Sequence, residues 1–213
     1  MNAHNKIVAD QYDIIYKSFD NSRVRIWNSV KEFIIDKNES ETLLDGGCGN
    51  GKNMVFAESY GYICEGFDIS NQLLSICKNK NLNVYYSDVL NINLNKRYDK
   101  IIAIAVLHHL QTEDDQLMAI KNLFKLLNDG GKLLISFWSK EKNFNNLLNN
   151  KADTREFNVG PNYVDWKYSS ELTIKRYYYI HNYDSITKLA NLMKVDYDIK
   201  WELQNWFITF YKK

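Results

Sequence analysis

The feature that most restricts the fold is an alternation of short apolar runs with amphipathic segments through the middle of the 213-residue chain. Five runs have the length and the β-branched and aromatic content of buried strands, and helical spacing fills most gaps between them. They are TLLDGG (42–47), YICEGFD (62–68), NVYYSDVL (83–90), DKIIAIAVL (99–107) and KLLISFW (132–138). This order predicts an α/β protein whose mostly parallel sheet is covered by helices on both faces.

The flanking segments follow other patterns. Apolar positions three and four apart in 7–19 and 23–37 predict two helices before the sheet. Toward the C-terminus, 183–194 has helical spacing, whereas 195–202 and 205–213 alternate as strands around a tight turn. We therefore expect an antiparallel strand pair at one edge of the sheet.

Little in the chain suggests a second domain. One proline, no repeat and no Gly/Ser tract leave no obvious linker, although the periodicity breaks down over about 139–170, which we expect to be irregular. We expect one domain over 1–213, made of N-terminal helices (1–40), a central core (41–138) and a C-terminal part (139–213).

Composition excludes several classes of protein. The net charge is only +1, so no strong basic field indicates nucleic acid, although 139–213 carry 12 basic and 9 acidic side chains. Three cysteines without a C-x-x-C pair argue against a disulfide framework and a zinc site, so we expect no metal. No apolar run approaches the roughly 20 residues of a membrane span, and no signal peptide pattern is visible. The cytoplasm is the expected compartment.

A glycine cluster follows the first predicted strand in LLDGGCGNGKN (43–53). Glycines at a strand end let a ligand approach the backbone closely, because a Cβ would collide. A dinucleotide site requires G-x-G-x-x-G, but Lys52 occupies the place of the third glycine and the spacing is G-x-G-x-G. A tight turn that binds no ligand is the alternative.

Two carboxylates at neighbouring strand ends favour the ligand. Asp68 ends the second predicted strand, where a carboxylate accepts hydrogen bonds from both hydroxyls of a ribose. Asp88 comes at the end of the third, level with the base of a nucleoside that lies across the sheet. Together with the glycines, they indicate a nucleoside cofactor at the carboxyl ends of three strands.

The motifs LLDGGCGNGK, GFDIS, YYSDVL, YDKIIAIAVLHHL and LNDGGKLLISFW resemble the class I S-adenosylmethionine-dependent methyltransferases over residues 40–138. The resemblance implies a Rossmann-like sheet and S-adenosyl-L-methionine as cofactor. In that family the glycine loop and the acid before it hold the methionine part, the second-strand acid holds the ribose, and the third-strand acid faces the adenine amino group. The implied cofactor-binding residues are Asp45, Gly47, Gly49, Gly51, Asp68, Ile69, Asp88, Val89 and Ala105.

A narrower resemblance rests on IYKSFDNSRVRIWNSVKEF, IAVLHHL, RYYYIH and QNWFITFYKK. These motifs are similar to the eukaryotic tRNA methyltransferases that esterify 5-carboxymethyluridine at the wobble position. The chain departs from that family at Asn28, where proline is common, and in a shorter segment between 142 and 175. The residues that match the family's acceptor side are Arg23, His108, His109, Arg176 and Asn205.

The narrower resemblance also implies partners. One is the tRNA anticodon loop, and the other is a small zinc-containing activator protein. Strand 83–90 should lie at a sheet edge, so we expect the activator to add there, over residues around 62–66 and 83–88.

Other interpretations stay open from the sequence. The two histidines are equally consistent with groups bonded to backbone at a strand end. The tyrosines at 177–179 are consistent with core packing, and the arginines with solvated surface charges. A small-molecule methyltransferase and an inactive cofactor-binding subunit are the alternatives to a tRNA enzyme.

Overall fold

The computed structural model describes residues 1–37, 41–141, 156–169 and 172–213. Two short 3₁₀ turns, Val89–Asn91 and Leu107–His109, interrupt its longer elements. The helices are α1 (Ala3–Ser22), α2 (Asn28–Ile35), α3 (Lys52–Ser59), α4 (Asn71–Asn79), α5 (Glu113–Lys125) and α6 (Tyr183–Asn191). The strands are β1 (Thr42–Gly46), β2 (Ile63–Asp68), β3 (Val84–Tyr86), β4 (Tyr98–Ala103), β5 (Leu127–Trp138), β6 (Gly160–Lys167), β7 (Thr173–Ile180), β8 (Tyr197–Glu202) and β9 (Asn205–Tyr211).

Seven strands form one mixed sheet in the order β3-β2-β1-β4-β5-β9-β8. Strands β1 to β5 are parallel, and β9 runs antiparallel to both β5 and β8. The expected parallel sheet with an antiparallel edge pair is confirmed, and β3 lies at the other edge as expected. The strand order reverses between β1 and β4, and the crevice outside their carboxyl ends is where such sheets bind ligands.

Alternation along the strands divides the core into two layers. Leu44, Ile101 and Leu133 pack on one face with apolar side chains of α5 and α6. Leu43 and Ile102, the neighbours of the first two, point to the other face and pack with α2, α3 and α4. Because successive side chains of a strand point to opposite faces, these continuous apolar runs are what a sheet buried on both sides requires.

The second helix begins later than the apolar periodicity predicts. Residues 23–27 are not helical, and α2 starts at Asn28. The reason lies in β8, where the Glu202 carboxylate accepts the backbone N–H groups of Asn28 and Ser29, each at 2.8 Å. A carboxylate at these unpaired donors caps a helix and opposes its dipole. The capping carboxylate lies 173 residues away in the sequence, so no local sequence pattern predicts where the helix begins.

The prediction of an irregular segment over about 139–170 is wrong for β6; residues 142–155 and 170 lie outside the described residues. Strand β6 pairs with β7 over eight residues in a separate two-stranded sheet. A bridge between Ser139 and His181 joins the residue after β5 to the residue after β7. The hairpin therefore lies beside the carboxyl ends of the parallel strands.

Two strand predictions, 83–90 and 99–107, run too long at their carboxyl ends, whereas 62–68 and 132–138 end where β2 and β5 end. Strand β3 ends at Tyr86, and β4 ends at Ala103, ahead of Ala105, which has a φ of +60°. Both strands end there, and residues that follow them, Asp88 and Ala105, line a cavity. Every helix in the described residues is too short or too polar to cross a membrane.

Candidate active site

A cavity of about 490 Å³ opens at the carboxyl ends of β1, β2, β4 and β5. Helix α1, the β6–β7 hairpin and the turn between β8 and β9 complete its walls. All five acceptor-side residues predicted from the sequence line it, as do seven of the nine predicted cofactor residues; Asp45 and Gly51 do not. A volume of this size suits a nucleoside cofactor together with part of an acceptor.

The glycine loop takes a backbone path that side chains would block. Gly47 has a φ of +75°, and a Cβ there would lie 2.4 Å from a methyl group of Val106. Gly51, at the same φ, would place a Cβ 2.3 Å from Leu82. Gly51 thus turns the chain into α3 against the core, whereas Gly47 and Gly49 face the cavity.

Asp68 ends β2 and holds the loop in place. Its two carboxylate oxygens accept the backbone N–H groups of Gly49 at 2.8 Å and Ser70 at 2.9 Å. Burial raises the pKa of Asp68, and these hydrogen bonds oppose the increase. Each oxygen retains acceptor capacity, so a ligand hydroxyl in the cavity has a partner.

Asp45 is buried behind the loop and is only 1% exposed. Neither carboxylate oxygen has a well-formed hydrogen bond, although the Asn53 side chain and the charge of Lys52 lie near enough to favour the ionised form. Burial, followed by repulsion from Asp68, raises the pKa of Asp45 to about 7. A buried carboxylate without a well-formed hydrogen bond calls for positive charge nearby.

Asp88 caps the 3₁₀ turn that follows β3, accepting the backbone N–H of Leu90 at 3.0 Å. The side-chain amide of Asn5 in α1 donates to both of its oxygens, at 3.0 and 2.9 Å. An amide NH₂ therefore lies against the acid to which the family resemblance assigns the adenine amino group. Sequence reasoning missed Asn5, because nothing local links residues 83 positions apart.

Helix α1 closes one side of the cavity through polar contacts along its length. Besides Asn5, Asp13 accepts from Ser70 Oγ at 2.5 Å and Asp20 accepts from the Asn50 amide at 2.8 Å. Tyr12 contacts His109 from the same helix. The helix that the sequence predicted only as a preceding segment is thus part of the site.

The hydrogen bonds of His109 fix its tautomer. Its Nδ1 lies 2.9 Å from the carbonyl oxygen of Tyr177, which only accepts, so Nδ1 carries the proton. Nε2 then accepts from the Tyr12 hydroxyl at 2.9 Å. Burial lowers the pKa of His109 to about 3, so the ring is neutral at physiological pH. It orients Tyr12 and is not a cation.

His108 is also neutral. It is 1% exposed, and burial lowers the pKa well below its ordinary range, with His109 adding to the effect. Its ring lies 4.7 Å from the ring of Tyr178 and 5.8 Å from that of Trp138. Its Nδ1 has no hydrogen-bond partner, so it has capacity for a ligand.

Arg176 is the central cation of the site. It is 3% exposed, and within the described residues no carboxylate pairs with it. Its guanidinium carbon lies 4.6 Å from the ring centre of Trp166 and 5.1 Å from that of Tyr178. Nη1 donates to the Tyr12 hydroxyl at 3.4 Å, while Nε has no partner.

Arg23 lies on the same side. Its guanidinium carbon is 5.4 Å from the Trp166 ring and 5.6 Å from Phe19. Burial and the charge of Arg23 lower the pKa of Lys52, which also lines the cavity. This end of the site therefore concentrates positive charge.

The last predicted residue, Asn205, begins β9 and is 4% exposed. Its amide donates to the Leu203 carbonyl at 2.9 Å across the turn from β8. Leu203 and Gln204 have φ values of +44° and +64°, a left-handed turn in which side chains other than Gly and Asn are uncommon. All three residues line the cavity.

A family model described as "Methyltransferase domain" matches residues 19–195 of the chain. The chain belongs to this family. The glycine loop, Asp68 and Asp88 lie inside the matched region, whereas Asn5 and Tyr12 precede it and Asn205 follows it.

Several curated relatives of this methyltransferase are named as tRNA methyltransferases. It is 37% identical over 144 residues to the tRNA (carboxymethyluridine(34)-5-O)-methyltransferase of Arabidopsis thaliana, covering 67% of the chain and 35% of the relative. It is 32% identical over 134 residues to the protein of that name from Xenopus tropicalis, covering 62% and 21%. The methyltransferase thus spans about a third or less of these relatives' lengths.

A solved structure has the same fold across the whole methyltransferase. The magnesium protoporphyrin IX methyltransferase of Synechocystis PCC 6803 with bound SAM superposes with a TM-score of 0.64, covering 100% of both chains at 17% identity. An identity this low shows the fold alone.

The cofactor is S-adenosylmethionine, and the site fits it. Asp68 supplies acceptors for ribose hydroxyls, Asp88 an acceptor for an amino group, and the Gly47 path a backbone that approaches closely. Asp45 does not line the cavity, so it contributes negative charge from behind the glycine loop rather than a direct contact. In the described part of the chain no group of three or more His, Cys, Asp or Glu side chains is arranged to hold a metal ion.

Proposed function

We propose that this methyltransferase forms the methyl ester of 5-carboxymethyluridine at the wobble position of tRNA. The observation that carries the proposal is Arg176, a buried guanidinium at the cofactor cavity with no acid paired to it among the described residues. A buried charge without a partner costs several kcal/mol, so its natural complement is an anion brought by the acceptor. The relatives named as tRNA carboxymethyluridine methyltransferases agree with that charge.

The acceptor's chemistry suits this arrangement. A carboxymethyl group has a pKa near 4, so it is already an anionic nucleophile at neutral pH and requires no general base. The neutral His109 is consistent with this, because it holds the Tyr12 hydroxyl rather than accepting a proton from the acceptor. The bound cofactor supplies an electrophilic methyl group on a sulfonium.

The chain's own residues then place the nucleophile. Arg176 presents N–H donors to the carboxylate, and the Tyr12 hydroxyl holds the Arg176 guanidinium from the side of α1. Holding the reacting oxygen close to the methyl carbon accounts for much of the rate in such transfers. Helix α1 and strand β7 contribute Tyr12, Arg176 and Tyr178 to the cavity wall on the acceptor side. The flipped base would meet aromatic side chains at the cavity wall, including Tyr178 and Trp138.

The deciding experiment measures transfer of labelled methyl from S-adenosylmethionine to two tRNAs that differ only at the wobble base. One carries 5-carboxymethyluridine and the other uridine. We expect labelling of the first alone, with the methyl ester recovered by mass analysis of nucleosides. Equal labelling of both tRNAs contradicts the proposal, and labelling of a small carboxylic acid but neither tRNA leaves the small-molecule alternative.

A matched pair of variants tests the role of Arg176. Arg176→Ala removes the buried cation and should lower transfer on the order of 100-fold or more while cofactor affinity stays within about twofold. Lys175→Ala is the control, because Lys175 is the exposed neighbour on β7 and carries the same charge. Equal losses in both variants, or loss of cofactor binding with Arg176→Ala, contradict the assignment.

We also propose a partner at the β3 edge of the sheet. The tRNA enzymes that this chain resembles bind a small zinc-containing activator, and β3 is an edge strand hydrogen-bonded to β2 alone within the described residues. Ile63 is 66% exposed and Tyr86 49% exposed beside it. Such an edge with exposed apolar side chains suits strand addition.

The test is co-expression with the activator, followed by light scattering and hydrogen exchange. We expect a heterodimer with protection over 62–66 and 83–88. Tyr86→Lys should weaken it, and Met118→Lys, an exposed position on α5, should not. A monodisperse and fully active isolated chain contradicts the proposal.

A further inference from the structure

Trp166 lies behind the cavity wall, against two arginines that line the cavity, and the sequence did not single it out. It lies on β6 opposite Ile174, half-buried, and its indole Nε1 donates to Ser18 Oγ of α1 at 3.3 Å. This bond ties the hairpin to the helix. The ring is thereby fixed between two elements that come from opposite ends of the chain.

The Trp166 ring is shared by the two arginines of the acceptor side. The guanidinium carbon of Arg176 is 4.6 Å from its centre and that of Arg23 is 5.4 Å away. Of the two arginines, Arg23 alone lies over the Phe19 ring and Arg176 alone lies over the Tyr178 ring in the described part of the chain. In the described part of the chain, Trp166 is the one ring within such distances of both cations.

An aromatic ring and a carboxylate hold a cation in different ways. A carboxylate would neutralise the guanidinium and occupy its N–H donors, whereas an aromatic face attracts the charge and leaves the donors free. The ring also offsets part of the repulsion between two neighbouring cations. Both arginines lie within contact of Trp166, and no described acid pairs with either.

We infer that Trp166 is a positioning residue that holds Arg23 and Arg176 as a pair of unneutralised cations for the carboxylate of the acceptor. The inference rests on the proposed function for the identity of that anion. Trp166 acts through the arginines rather than on the reacting atoms. Its contribution therefore depends on its π face and not only on its volume.

Three variants separate these roles. Trp166→Phe keeps an aromatic face, Trp166→Leu keeps apolar bulk without one, and Tyr163→Leu is the control on the same strand, where Tyr163 is 69% exposed. With carboxymethyluridine tRNA, Trp166→Leu should lower kcat/KM on the order of 10- to 100-fold, from the loss of two cation–π contacts. Trp166→Phe should stay within about threefold of wild type, and Tyr163→Leu should have no effect. Cofactor affinity should be unchanged in all three.

A second readout does not depend on activity. The Nε–Hε resonances of Arg23 and Arg176, assigned by Arg→Lys variants, should be displaced by the Trp166 ring current in wild type and should move toward ordinary positions in Trp166→Leu. Titration with sodium acetate should shift both resonances together in wild type, with weaker binding in Trp166→Leu.

The outcomes distinguish this inference from the proposed function. If wild type does not methylate the carboxymethyluridine tRNA but the resonances and acetate binding depend on the ring, the function fails and the cation pair stands. If Trp166→Leu matches wild type in kinetics and acetate binding, the positioning role is overturned. Equal losses in Trp166→Phe and Trp166→Leu, accompanied by loss of cofactor binding, also overturn it, because they indicate general damage to the fold.

Discussion

Replacing Asp45 by asparagine should change how the stability of the cofactor-free protein depends on pH. The Asp45 carboxyl is buried without a well-formed hydrogen bond, and burial with repulsion from Asp68 raises its pKa from 3.8 to about 7. Between these two values the unfolded chain is ionised at this residue while the folded chain remains protonated. The free energy of unfolding therefore falls as pH rises through that window and levels off above about 7.

The size of the effect follows from the pKa. At about 1.36 kcal/mol for each pH unit, the full window from 3.8 to about 7 corresponds to about 4 kcal/mol. Between about pH 5 and pH 8, the expected fall in the free energy of unfolding is about 3 kcal/mol. The amide of the Asp45→Asn variant cannot ionise, so the free energy of unfolding of the variant should not show this fall with pH. At about pH 8 the variant should be more stable than wild type by a comparable amount, less any cost of the buried amide.

Urea unfolding of both proteins at about pH 5, 6, 7 and 8 without cofactor measures the difference directly. The change in ΔG between wild type and Asp45→Asn is the relevant quantity, because other groups titrate in both proteins. Asp114→Asn is the control, since Asp114 is exposed on α5 and should leave the wild-type profile unchanged. Parallel profiles for wild type and Asp45→Asn would refute the reasoning.

Three further predictions concern ligands. Asp68→Ala should weaken S-adenosylmethionine binding by about 2 kcal/mol, or roughly 30-fold, in calorimetric titration, and unchanged affinity would contradict its role as an acceptor. Tyr12→Phe removes the hydroxyl between His109 and Arg176 and should lower methyl transfer about tenfold with cofactor affinity retained, whereas equal kinetics would show that the hydroxyl does not hold Arg176. The esterified tRNA should bind more weakly than the carboxylate form, and this preference should disappear in Arg176→Ala; a preference that persists would place the anion elsewhere.

The parallel core was predictable from the sequence because its signals are local. Each strand is a short apolar run, and the residues at its carboxyl end, such as Asp68 and Asp88, share one edge of the sheet once the strands are parallel. The glycine spacing marked the loop by the same logic. The carboxyl ends of β3 and β4 were wrong, because 3₁₀ turns and a left-handed residue at Ala105 follow these two strands.

The missed residues depend on contacts between distant segments. Asn5 and Tyr12 belong to a helix whose periodicity shows only that it packs, not that its polar positions face Asp88 and His109. Trp166 lies in a strand whose partner starts several residues later and whose own alternation is weak. No single-sequence pattern states which ring meets which guanidinium. The family resemblance identified Arg23 and Arg176 as site residues, but it did not explain why no carboxylate pairs with them in the described part of the chain.

The charges of the site are divided between two ends, and this division has a consequence for turnover. Asp45, Asp68 and Asp88 come from the parallel core, whereas Arg23 and Arg176 come from segments before and after it. The first group suits a cationic cofactor and the second an anionic acceptor. On the proposed reaction, methyl transfer converts the two charged reacting groups, a sulfonium and a carboxylate, into a neutral thioether and a neutral ester. Arg176 then faces an ester instead of a carboxylate, and Asp45 loses the cation that favoured its ionised form. Because the buried charges of the site then face neutral groups, both products should bind more weakly than the reactants.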